Sequence, residues 1–298
     1  PLFLDAYPGG DNMNANRLMG LLMILLSGCA DTGQDRTTVP LYVAGTSLPA
    51  EILTRGDVPI TIQRADLAFG PLYLCAGAQA GHLCETARLE WIETVVVDAT
   101  EASLSYAGDL YGVTGQVQSW MYDLGISSQL TQLDPFVLDA AESLDGNSFL
   151  LEATATIDGI EVPFSAAVPI MQTEETELGV PVIRKSTSDN FLHEVTENES
   201  RLLVRFDATA WVTDLDLRSL VSREQCTADG ANLVCDGTVE RTCDGEEESA
   251  VRDCADNGAI CQPGTGCVSK IVIEPDSQGY RSLRNSLVSG RRPTFTWD

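Results

Sequence analysis

The sequence predicts a mainly β protein: an antiparallel β-sandwich carrying a small disulfide-rich insertion and a short C-terminal helix. Three observations predict it. Apolar and polar residues alternate with period two in many short runs broken by glycine and proline. Two of those runs meet at Asp158-Gly159, a pair suited to the positive φ angles of a tight hairpin. Six of the nine cysteines crowd into residues 226–267, a segment with few large apolar side chains.

Residues 1–28 read as upstream residues plus an export signal. Met13 is a natural start, Arg17 supplies one positive charge, and Leu18 to Leu26 is apolar. That run is shorter than the roughly 20 residues a membrane-spanning helix needs. It ends in Leu26-Ser27-Gly28-Cys29, which resembles the lipobox of bacterial lipoproteins. The resemblance implies cleavage before Cys29, a lipid on its thiol, and a membrane partner reached through that anchor alone. Ala30, where family members retained at the inner membrane carry Asp, implies an outer membrane lipoprotein facing the periplasm or the cell surface. The plainer alternative is a buried free thiol at the end of an ordinary helix. Residues 29–40 form the lipidated tether, polar and without periodicity from Asp31 onward.

Residues 41–225 are assigned to the sandwich. Ile60 with Ile62, Val95 with Val97, Val113 with Val117, and Leu202, Val204 and Phe206 each alternate as half-buried strands do. The strongest segment runs from Phe149 to Val168. A two-residue turn at Asp158-Gly159 sets Ile157 against Ile160, Ala153 against Phe164 and Leu151 against Ala166, so that large residues oppose small ones on one buried face. Cys75 and Cys84 bracket a short loop containing Gly77, Gly81 and His82, and they are expected to bond to each other.

Residues 226–268 hold Cys226, Cys235, Cys243, Cys254, Cys261 and Cys267. None of the intervals is the two-residue gap of a zinc knuckle, so disulfides fit better than a metal cluster. Fifteen pairings remain open. The final segment, 269–298, is expected to hold a helix from Ser277 to Ser289. Asp276 or Ser277 caps it, Tyr280, Leu283 and Leu287 form one face, and Gly290 stops it. Pro293 to Trp297 then reads as a last strand. Because that strand needs a sheet to complete, the cysteine-rich segment reads as an insertion into the sandwich; the alternative is a separate C-terminal module with its own hairpin.

Charge narrows the partners. The chain carries 44 acidic and 18 basic residues, a formal net charge of -26. Loss of residues 1–28 removes Asp5, Asp11 and Arg17, which barely changes the balance. Such a body repels nucleic acid and anionic lipid surfaces, so neither is an expected partner. The two histidines, His82 and His193, are too few for most acid-base schemes. No nucleophile elbow, phosphate loop or dinucleotide fingerprint occurs, and His193-Glu194 lacks the second histidine of a zinc protease. No catalytic residue is therefore assigned, the protein reads as non-enzymatic, and no cofactor is expected. A site made of carboxylates alone stays open, although with this many acidic residues most pairs are solvated surface.

Two further resemblances rest on short motifs. Cys235-Asp236-Gly237, repeated as Cys243-Asp244-Gly245 and followed by Asp253-Cys254, Gly258, Cys261 and Gly266-Cys267-Val268, resembles cysteine-rich repeats of uncharacterised surface lipoproteins from Gram-negative bacteria. It implies location rather than activity. The order Ala65-Asp66-Leu67, Tyr122-Asp123-Leu124-Gly125, Asp145-Gly146 and Leu203-Val204-Arg205-Phe206-Asp207 is similar to the β-sandwich of periplasmic copper-associated proteins of the metallo-mystery-pair type. This chain lacks a His-rich ligand set, so that resemblance implies a fold and no metal site.

Two functions follow as expectations. The first is a non-enzymatic, lipid-anchored envelope protein that presents the sandwich and an acidic stapled module to an envelope protein or a glycan. Trp91, Trp120, Trp211 and Trp297, with Tyr73, Tyr106, Tyr111 and Tyr122, are its candidate stacking platforms. The second is periplasmic handling of a copper or calcium ion, with His82 and His193 as metal candidates beside the acidic residues of the cysteine-rich segment. That segment has no regular calcium ladder.

Overall fold

The Asp158-Gly159 hairpin lies at the centre of one sheet. The computed structural model describes residues 34–77, 86–127, 136–169, 184–186, 192–228, 232–290 and 292–298. Arg36–Asp298 forms one compact unit. The first strands are β1 (Arg36–Ala44), β2 (Ile52–Leu53), β3 (Pro59–Phe69), β4 (Leu72–Cys75), β5 (Ala87–Trp91), β6 (Val95–Asp98) and β7 (Ser105–Val113). Next come β8 (Gly115–Val117), β9 (Ser119–Tyr122), β10 (Ile126–Ser127), β11 (Phe136–Val137), helix α1 (Asp139–Glu142), β12 (Asn147–Ile157) and β13 (Ile160–Pro169). They are followed by β14 (Arg184–Ser186), β15 (His193–Val195), β16 (Leu202–Arg205) and helix α2 (Ala208–Val212). The cysteine-rich segment contributes β17 (Leu233–Asp236), β18 (Val239–Asp244), β19 (Glu247–Asp253), β20 (Ile260–Gln262) and β21 (Gly266–Val268). Strand β22 (Ile271–Val272), helix α3 (Gln278–Asn285) and β23 (Thr294–Trp297) end the chain.

Asp158 and Gly159 take φ angles of 52° and 82°, the left-handed pair that a two-residue turn requires. The register is the expected one, with Ile157 opposite Ile160, Ala153 opposite Phe164 and Leu151 opposite Ala166. All six side chains but Ile160 are buried, so one face of this hairpin is core. Strand β3 pairs with the other edge of β12, and β2, β6 and β22 extend the sheet.

The facing sheet has the order β14-β9-β4-β5-β7-β1-β16-β23. Phe149 of the first sheet meets Trp211 edge-on at 5.2 Å, and Phe69 meets Phe206 at 5.0 Å, so aromatic rings fill the layer between the sheets. The larger sheet curls strongly: Trp120 of β9, near one end, stacks on Phe295 of β23, at the other, with centroids 4.7 Å apart. The fold is thus a mainly β sandwich. Among the described strands its pairing departs from strict antiparallel order where β1 runs parallel to β16 and β13 parallel to β22. Long stretches of chain separate both pairs, and parallel neighbours need that length where a hairpin does not.

Helix α3 begins where its cap demands. The Ser277 hydroxyl accepts the Tyr280 N–H at 3.1 Å, and Tyr280, Leu283 and Leu287 are buried. The last turns, Ser286–Gly290, widen to π geometry. Pro293 stays outside the final strand, consistent with its lack of an N–H for the ladder.

The cysteine-rich segment carries three interlaced disulfides, Cys226–Cys243, Cys235–Cys261 and Cys254–Cys267. They cross-link the sheet β17-β18-β19 and the hairpin β20-β21. Cys235, Cys254 and Cys261 form a small core of sulfur, while Ile260 reaches the main core. After this segment the chain returns to both sheets, β22 pairing with β13 and β23 with β16. Cys75 is also disulfide-bonded; Cys84, its expected partner, lies outside the described residues, as do Cys29 and His82.

Candidate functional site

The eight aromatic residues singled out from the sequence divide into three groups. Trp91, Trp120, Trp211, Tyr73 and Tyr122 are all at most 5% exposed and belong to the interior. Trp297 is half-buried. Tyr106 and Tyr111 are 56% and 60% exposed, and both stand on β7. Period-two alternation would place Tyr106 and Tyr111 on opposite faces. A β-bulge prevents this: the β1–β7 register slips so that Tyr42 faces Tyr106 while Leu41 faces Gly108, leaving Ala107 unmatched. The bulge thus turns Tyr106 to the same outer face as Asp109 and Tyr111.

Beside these tyrosines the sheet opens. The β5–β7 ladder consists of Leu89 with Gly112 and Glu90 with Tyr111, and then stops, because β5 leaves toward β6 in the other sheet. The gap is a cleft of about 360 Å³. Trp91, Ile92, Tyr106 and Tyr111 supply its apolar lining, and Glu90, Glu93 and Asp109 its carboxylates. The Tyr106 phenol is held above its ordinary pKa, first by its hydrogen bond to the Asp109 carboxylate and then by burial. Tyr106 also packs edge-on against Tyr42 at 5.5 Å, and the Arg201 guanidinium covers Tyr42 at 5.6 Å.

The floor of the cleft is the indole of Trp91, 2% exposed. Two glycines admit it. A Cβ on Gly70 would stand 2.7 Å from indole Cζ3, and one on Gly108 would stand 2.7 Å from Nε1. The Gly108 position would also lie 3.6 Å from Glu93 Oε2, so glycine there lets the indole pack directly against the β7 backbone. The Trp91 Nε1 is buried and has no hydrogen-bond acceptor among the described residues. A buried donor without an acceptor is costly, typically about 1–3 kcal/mol.

Of the two metal candidates, His193 lies among the described residues. His193 stacks flat on Trp297 at 4.1 Å, and its Nε2 lies 3.2 Å from Glu199 Oε2, within ion-pair distance but off the hydrogen-bond direction. Glu199 in turn accepts from the Thr196 backbone and hydroxyl. Among the described residues, the three-ligand grouping is Glu240, Cys254 and Cys267, which does not include His193. Its two sulfurs are spent on each other in a disulfide, and one Glu240 oxygen takes the Cys267 N–H at 2.9 Å. Thiolate ligands are therefore missing from it.

No protein-family model matches the chain, and no curated protein does. Among solved structures, MbnP from Methylosinus trichosporium is similar at a TM-score of 0.31 and 11% identity, over 63% of this chain and 80% of its own. Among the described residues, no helix is long and apolar enough to cross a membrane.

The cleft was only partly legible in the sequence. Tyr106, Tyr111 and Trp91 stood among the eight candidate rings, but Glu90, Glu93, Asp109 and Gly108 carried no signal. They come together because a bulge and a diverging strand, both set by long-range pairing, put them there.

Proposed function

We propose that this chain is a non-enzymatic, lipid-anchored protein of the cell envelope that binds a glycan in the cleft between β5 and β7. The observation that carries the reading is the pair of exposed rings, Tyr106 and Tyr111, set beside the Glu90, Glu93 and Asp109 carboxylates in one cleft. Sugars present that combination in reverse. Their C–H faces stack on aromatic rings, and their hydroxyls donate to carboxylates. The cleft volume, about 360 Å³, suits one or two sugar rings.

The disulfides support an oxidising compartment. Together with the lipobox-like Leu26-Ser27-Gly28-Cys29 they support an outer membrane lipoprotein facing the periplasm or the surface. Mass spectrometry of the mature amino terminus tests the anchor, the expected result being diacylglycerol on Cys29.

The ligand is tested on a glycan array with the Cys29→Ser chain and its Tyr111→Ala derivative. Retention of at least one glycan is expected, with Tyr111→Ala weakening it about five- to tenfold through loss of one stacking face. An array without retained glycans, or one on which the derivative binds as well as its parent, refutes the reading.

A further inference from the structure

The β5–β7 cleft has a charge as well as a shape. Ile92, Tyr106 and Tyr111 are 64%, 56% and 60% exposed, so three of the eight large apolar side chains that meet solvent among the described residues stand in this one cleft. The solvated surface of an acidic protein explains carboxylates anywhere on it, but it does not gather exposed rings around them.

The carboxylates keep their charge uncompensated. Among the described residues, no Lys, Arg or His stands within ion-pair distance of Glu90, Glu93 or Asp109. Arg201, whose guanidinium covers Tyr42, is paired with Asp298 at 2.7 Å. Arg88 precedes Glu90 by two residues on β5, but its guanidinium is turned toward β8, where Cζ would lie 3.3 Å from a Cβ on Gly115. Asp109 accepts the Tyr106 phenol proton, which uses one of its acceptor sites and none of its charge.

Two ring faces and three carboxylates act on a cation in the same direction. The ring quadrupole presents its negative face, and the carboxylates add Coulomb attraction in a cleft that partly excludes water. Building on the glycan reading of this cleft, we infer that the sugar bears a positive charge: an unacetylated amino sugar, with its ammonium beside Glu90, Glu93 and Asp109 and its C–H face on the tyrosine rings. A neutral sugar keeps the stacking and the hydroxyl contacts but gains nothing from the charge, and an acidic sugar is repelled.

Isothermal titration of the full chain at about pH 6, where an amine is protonated, compares a glucosamine disaccharide with its N-acetylated counterpart and with the glucose disaccharide of the same linkage. The glucosamine disaccharide should bind about tenfold tighter than either neutral one, and added salt should erode that preference. Glu90→Gln/Glu93→Gln alters two exposed side chains and should cut the preference to about twofold, because glutamine keeps an acceptor for hydroxyls and loses the charge. Equal binding of the three sugars overturns the charge preference while leaving glycan binding in place. Binding of none up to about 10 mM overturns the amino-sugar assignment, and the glycan array then decides separately whether the cleft takes any sugar. A tenfold preference that survives the double substitution overturns the role of these carboxylates.

Discussion

Removing the Cys235–Cys261 disulfide should melt the cysteine-rich segment while leaving the sandwich folded. The bridge spans 26 residues and is the middle member of three interlaced cross-links. Neither neighbouring bridge offers a materially shorter path between Cys235 and Cys261. The full loop-closure term therefore applies, an entropy of about 12 cal/mol/K, or about 3.5 kcal/mol at 25 °C. Both sulfurs are completely buried, so their removal also takes packing from the sulfur core. Little else holds the segment: Val234 and Ile260 are its fully buried aliphatic side chains among the described residues. The salt bridges from Arg241 to Asp236 and Glu248 and from Arg223 to Asp158 are surface pairs, worth about 1 kcal/mol or less each. The Cys235→Ala/Cys261→Ala chain separates the two regions cleanly, because all four tryptophans lie outside residues 226–268. Urea unfolding followed by tryptophan fluorescence reports the sandwich, and amide hydrogen exchange over residues 233–268 reports the segment. Exchange protection in the segment should fall by about 3.5 kcal/mol or more, with the fluorescence midpoint nearly unmoved. A fall below about 1 kcal/mol, at the bottom of the range for disulfides, would show that something other than the bridge orders this region.

Two further outcomes follow from the core. Phe164, fully buried between Ala153 of β12 and Ile271 of β22, should cost about 3–5 kcal/mol when replaced by alanine; a urea midpoint within error of the parent would mean that the two sheets do not close over this ring. The Tyr73 hydroxyl is pushed well above its ordinary value near 10, first by burial and then by the Asp123 and Glu90 carboxylates. A folded pKa above the unfolded one means that the unfolded chain releases its proton first, so this contribution is intact below pH 10 and is lost as pH rises toward the folded value. Tyr73→Phe should flatten that alkaline loss in thermal unfolding between pH 9 and 11, and an unchanged slope would count against the burial of the phenol.

The β12–β13 hairpin was readable because everything that specifies it is local. Asp158-Gly159 has the turn conformation written into two residues, and once the turn is set, each cross-strand pair follows by counting. The same holds for α3, whose cap at Ser277 and apolar spacing lie within a few turns. The cysteine pairs were not readable, since six thiols in one loop-rich segment offer fifteen combinations and the spacing chooses none of them. Nor were the parallel neighbours β1 with β16 and β13 with β22, whose partners are far apart in the chain.

The amino-acid sequence by itself determined the β character, the alternation that makes one face of each strand core, the main hairpin register, and the composition that makes residues 226–268 depend on cross-links. Tertiary structure alone decided which aromatic rings are buried and which meet solvent, because that depends on a bulge opposite Leu41 and Tyr42 and on β5 departing for another sheet. Propensity and periodicity act over a few residues, whereas a cleft is made by the pairing of strands that the chain brings together from a distance.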